Sequence, residues 1–214
     1  MVHTIVFERE GSHTSITSLF RRLKIENQYG PWSIPGGSRA INSMLGKFLR
    51  KLTAVEKLEF CGSGLDWIHG ELANGLATAL QVPTLKTLRL VSLEGFPMSL
   101  ILWGRTLKRV EFERVAFLPT RISTGFKNHL VVPTLEEFRV DNRGMGLSLL
   151  GLHLLSCATE QSAFTRLKKL RLEYRDREGD RPEDINRLLT ACQSSLEEFD
   201  LFLTHHGASK FWPI

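Results

Sequence analysis

The chain has 214 residues, 42% hydrophobic and 24% charged, with a formal net charge of +5 and a pI near 9.3. That composition excludes a disordered tail, and Arg, Lys, Gly or Pro breaks every apolar run well short of a membrane span. Cys61, Cys157 and Cys192 are odd in number and widely spaced, and no secretory leader opens the chain. The expectation is therefore no disulfide framework, no zinc knuckle, and a cytoplasmic or nuclear location.

One pattern, apolar-x-x-apolar-x-apolar, recurs along the chain. "VHTIVF" fits it first, with Val2, Ile5 and Phe7. "TSITSLFRRLKI" fits it through Phe20, Leu23 and Ile25, but Ile16, Leu19, Phe20 and Leu23 also stand at helical spacing. The helical period spans more residues, so a helix is predicted there. A Gly- and Pro-rich loop follows over residues 27–37. "SRAINSMLGKFLRKL" places Ile41, Leu45, Phe48 and Leu52 on one helix face, with Ser38 as the candidate N-cap. The first strand of a regular series comes next, "VEKLEF".

"DWIHGELANGLATAL" predicts a helix carrying Ile68, Leu72, Leu76 and Leu80, behind Asp66. Then come Leu85, Leu88 and Leu90 in "VPTLKTLRL", and Leu107, Val110 and Phe112 in "TLKRVEF". "PMSLILWG" and "RISTGFKNHL" are short enough to be single turns. Leu135, Phe138 and Val140 repeat the pattern in "VPTLEEFRV". "GLSLLGLHLLSCA" reads as a buried helix, and Leu167, Leu170 and Leu172 as another strand. "RPEDINRLLTACQ" opens with Pro182, Glu183 and Asp184, which is helix-start chemistry, and Leu196, Phe199 and Leu201 close the series. Phe211 and Trp212 in the tail are expected to fold back on the last repeat.

The final apolar positions fall at 60, 90, 112, 140, 172 and 201, intervals of 22 to 32 residues. Strands in one direction at that spacing need a crossover each time, so the expectation is an α/β chain with a parallel sheet. Pro83 and Pro133 precede their strands, where the missing N–H costs no ladder bond and the preceding residue is biased toward extended geometry. Residues 1–52 are expected to cap the array, 53–203 to hold the repeats and 204–214 to form a tail, all in one domain.

"VEKLEFCGSGLDWIHGELANGLATALQVPTLKTLRLVSLEGFP" followed by "TLKRVEFERVAFLP" resembles the leucine-rich-repeat region of fungal F-box-type proteins. The helix holding "LATAL", the "PTLKTLRL" strand and the endings Leu93-x-x-Phe96-Pro97 and Val115-x-Phe117-x-Pro119 carry the likeness, over most of residues 50–203. The resemblance implies an irregular leucine-rich-repeat solenoid, a curved parallel sheet inside and helices outside. It also implies non-enzymatic substrate recognition for a ubiquitin ligase. No F-box is found in this chain, so a Skp1-like adaptor is expected only if such a module precedes Met1. The family's asparagine after each strand is replaced here by Ser63, Leu93, Val115, Arg143, Arg175 and Thr204, so the turns must be satisfied otherwise.

Between the last two apolar residues of each strand stand Glu59, Arg89, Glu111, Arg139, Arg171 and Asp200, and two places earlier Lys57, Thr87, Arg109, Glu137, Lys169 and Glu198. Alternation puts all of these on one exposed sheet face. Opposite charges on adjacent strands predict a salt-bridge ladder, and the same charges form the candidate docking surface for a protein or peptide. A fold-retaining paralogue or gene fragment without a specific ligand is the alternative reading.

RNA binding rests only on an excess of cations in residues 1–130, 17 Lys and Arg against 10 Asp and Glu, with no block of like charge. His205-His206 lacks further ligands at metal spacing, and neither "GSG" at 62–64 nor "PGG" at 35–37 has phosphate-loop spacing. There is no G-x-S-x-G elbow. No cofactor, metal or catalytic residue is expected.

Overall fold

The computed structural model describes residues 4–9, 20–27, 37–62, 70–93, 96–115, 117–118, 133–141, 163–175 and 182–204. The elements are β1 (Thr4–Arg9), β2 (Phe20–Asn27), α1 (Gly37–Leu49), β3 (Lys57–Gly62), α2 (Gly70–Leu80), β4 (Thr87–Val91) and β5 (Phe96–Pro97). A 3-10 helix (Met98–Trp103) follows, then β6 (Arg109–Glu113), β7 (Phe117–Leu118), β8 (Glu137–Asp141), β9 (Lys169–Arg175), α3 (Pro182–Cys192) and β10 (Glu198–Thr204).

One eight-stranded sheet runs β1-β2-β3-β4-β6-β8-β9-β10. From β2 onward every pairing is parallel, and β1 lies antiparallel on β2. The chain is thus of the α/β class. β5 and β7 form a second, two-stranded parallel sheet from the paired endings of two consecutive repeats. No helix among the described residues is long and apolar enough to cross a membrane.

The register places the recurring apolar residues in two rows. Leu23, Leu58, Leu88, Val110, Phe138, Leu170 and Phe199 form one; Ile25, Phe60, Leu90, Phe112, Val140, Leu172 and Leu201 form the other. With Val55, Leu85, Leu107, Leu135 and Leu167 ahead of the strands, they build a single core against Leu45 and Leu49 of α1, Leu72, Leu76 and Leu80 of α2, and Leu188 and Cys192 of α3. Edge-on ring contacts, Phe112 to Phe138 at 5.6 Å and Phe138 to Phe164 at 5.3 Å, continue it across repeats.

The sheet overturns one prediction. The helix expected over Ile16–Leu23 gives way to β2, from Phe20. Leu23 and Ile25 point into the core, and β2 bonds to β1 on one side and β3 on the other. An isolated helical period there would forfeit both ladders, so tertiary pairing wins. The parallel array therefore begins within residues 1–52, which were expected only to cap it. The first matched strand, β1, runs against the others and is not a further parallel repeat. α1 starts at Gly37, so Ser38 stands inside its first turn and not at its N-cap.

The predicted helix over 146–158, the turn at 121–130, Asp66, Ile68, the His205-His206 pair and the tail with Phe211 and Trp212 lie outside the described residues. At the last strand, Phe199 and Leu201 occupy core rows yet are 40% exposed; among the described residues β10 pairs on one side only.

Main-chain bonds hold the chain at two of the six positions where the resemblance expects asparagine. At these two stand Leu93 and Val115, both buried. Just before them, Ser92 and Arg114 take left-handed φ angles of 53° and 55°, and their N–H groups donate to Glu113 and Asp141 carbonyls at 2.7 Å. Strand starts are tied in the same way. Lys86 and Thr87 both donate to the Glu56 carbonyl, Lys108 and Arg109 to that of Lys86, and Glu136 and Glu137 to that of Lys108. Hydroxyls add to this: Thr84 donates to the Val55 carbonyl and Thr106 to that of Leu85, each at 2.8 Å, and Ser195 to that of Leu167 at 2.9 Å. The Thr of "VPTL" at residues 82–85 thus ties its repeat to the preceding one.

Candidate docking face

All eleven predicted site residues share the polar face of the sheet, in the predicted register. Lys57, Arg109, Glu137, Lys169 and Glu198 form one row with Thr87; Glu59, Arg89, Glu111, Arg139, Arg171 and Asp200 form the next. Uniform exposure was expected. Instead, in the second row, Glu59 is buried and Arg89, Glu111 and Arg139 are half-buried, while Arg171 and Asp200 are exposed. Long neighbouring side chains cover a carboxylate in the middle of the sheet, whereas an edge position has neighbours on one side only.

Over β3, β4 and β6 the ladder is real. Arg89 lies among three carboxylates: Glu59 at 3.3 Å, Glu113 at 3.0 Å and Glu111 at 3.6 Å. Partial burial works to lower its pKa, but those carboxylates outweigh that effect and hold it above the ordinary value. Lys57 reaches Glu59 at 3.5 Å, and the Cys61 thiol donates to Glu59 at 3.4 Å. Burial first, and the Glu59 charge second, push the Cys61 thiol up to about 12, so it is an uncharged thiol at neutral pH. Arg109 pairs with Glu111 and bridges to Glu137 at 2.8 Å.

Over β8, β9 and β10 the row behaves differently. Lys169 pairs with Glu198 at 2.7 Å, and that hydrogen bond raises the Lys169 pKa. Among the described residues, however, Arg139, Arg171 and Asp200 form no ion pair. Arg171 turns its guanidinium onto the Phe202 ring, 4.6 Å from the centroid, and away from its register partner Asp200. Arg139 and Arg171 stand side by side on neighbouring strands. A depression of about 150 Å³ opens here, lined by these three charges and by Arg109, Glu137, Lys169 and Glu198.

The register puts Glu111 between Arg89 and Arg139, but of these two Arg89 pairs with it and Arg139 does not. That corrects the expected two-sided bridge: register fixes which strand positions are adjacent, not where a long side chain turns. In urea titrations at low salt, an alanine double-mutant cycle on Glu111 and Arg89 should give a coupling of about 0.5 to 1 kcal/mol that shrinks with added salt. The cycle on Glu111 and Arg139 should give about zero. The reverse order of the two couplings would show that the pairing assigned here is wrong.

Sequence reasoning missed Glu113 and Phe202. Both lie two residues beyond a predicted site position, Glu111 and Asp200, so the same alternation would have found them. No protein-family model, no curated protein and no solved structure matches this chain.

Proposed function

We propose that this chain is a non-enzymatic protein-recognition module, an irregular leucine-rich-repeat solenoid whose polar sheet face docks a peptide or protein. The observation that carries this reading is the contrast along one row of charges. Glu59, Arg89 and Glu111 are engaged with one another or with close neighbours, while Arg139, Arg171 and Asp200 have no ionic partner among the described residues and surround a depression. A ladder that served only to solubilise the sheet would gain from pairing at every strand. The like-charged neighbours Arg139 and Arg171 cost stability, which is reasonable where a partner supplies the missing charge. The resemblance to F-box-type proteins extends the reading to substrate recognition for a ubiquitin ligase, on sequence pattern alone.

The test is selection of a random displayed peptide library on the intact chain and on its Arg139→Glu/Arg171→Glu variant, after matching their melting temperatures. The wild type should enrich a consensus that the variant does not. No enrichment on the wild type, or the same enrichment on both, overturns the reading.

A further inference from the structure

We propose that the depression over β8, β9 and β10 recognises an acidic peptide, seating one side-chain carboxylate between Arg139 and Arg171 beside Asp200. This inference rests on the docking reading above and names its ligand chemistry. Adjacent strands lie about 4.7 to 4.9 Å apart, so the long side chains of Arg139 and Arg171, in register at their Cα atoms, are within reach of one carboxylate, and a guanidinium has donors for both of its oxygens. The Phe202 ring under Arg171 anchors one of those guanidiniums.

Three nearby carboxylates are already committed. Glu137 holds Arg109 at 2.8 Å, Glu198 holds Lys169 at 2.7 Å, and Glu111 holds Arg89 and Arg109. That leaves Asp200 opposite the two arginines, one negative charge short of balancing them.

Charge decides between possible anions. Two arginines and Asp200 leave one positive charge, which matches a carboxylate. A phosphate dianion would leave an excess of negative charge beside Asp200, Glu137 and Glu198. A nucleic-acid backbone fits worse still. The next row along the sheet carries Glu113, Asp141 and Glu173, and carboxylates outnumber cations on this face from β3 to β10.

Peptides enriched from a random displayed library on the intact chain are the probe, read by fluorescence anisotropy. Their consensus should hold an Asp or Glu at one fixed position. Its change to Asn or Gln should weaken binding by about tenfold or more, the scale of charge-assisted hydrogen bonds. On the Arg139→Gln/Arg171→Gln variant that loss should vanish. The variant removes a like-charge contact and the Arg171–Phe202 contact together, so both chains are compared at a temperature where each is fully folded. A consensus without an acid, an acid whose loss matters equally on the variant, or tighter binding when the acid becomes phosphoserine would each overturn the carboxylate inference while leaving a docking face. No enrichment at all would overturn the docking reading with it.

Discussion

Leu88→Ala is expected to cost about 2 to 5 kcal/mol of folding stability, with no dependence on salt. Leu88 is fully buried and sits mid-row, with Leu58 on one neighbouring strand and Val110 on the other. Parallel strands hold their spacing through the hydrogen-bond ladder, so the sheet cannot close over the cavity. Arg89→Ala, one residue on, should behave differently. The sequence places it on the exposed face, where a far smaller loss than at Leu88 is expected, and Arg89 holds three carboxylates, one of them the buried Glu59. Its loss should cost about 1 to 2 kcal/mol, and added salt should reduce that figure, since the network is partly exposed. Urea denaturation of both variants at two salt concentrations separates the cases. Equal, salt-independent losses would contradict the assignment of the two faces.

Gly75→Ala is the second large effect, and its sign runs against helix propensity. In an isolated helix the change would stabilise by about 1 kcal/mol. Here Gly75 of α2 lies directly on the backbone of Gly46 in α1, and a Cβ would be driven into the Gly46 carbonyl. Gly46→Ala meets the carbonyl of Glu71 in the same way. Backbone atoms cannot rotate aside, so the helices must separate and lift Leu72 and Leu76 from the core. A net loss of about 1 to 3 kcal/mol is expected, as for overpacking elsewhere. A control change at Asn74, exposed on the same helix, should follow propensity alone, so that Asn74→Ala raises the melting temperature slightly. Stabilisation by Gly75→Ala would mean that α1 and α2 do not cross there.

Much of this protein is legible in its sequence because alternation is local. A residue two places along a strand returns to the same face whatever its neighbours do. That is why the apolar pairs Leu58–Phe60, Leu88–Leu90, Val110–Phe112, Phe138–Val140 and Leu170–Leu172 could be assigned to the core, and the charges between them to the opposite face. The ends of α2 and α3 at Leu80 and Cys192 follow from equally local periodicity. Tertiary structure alone decided what depends on partners. Residues 20–27 became a strand because two neighbouring strands were there to bond it. Phe199 and Leu201 stayed partly exposed where β10, among the described residues, pairs on one side only. Gly46 and Gly75, unremarkable in sequence, became the crossing of two helices. The eleven charged positions were written in the sequence, but not which of them pair. Glu111 turns to Arg89 and not to Arg139, and Arg171 to Phe202 and not to Asp200. Such choices depend on rotamers and on charges two strands away, which no local period encodes.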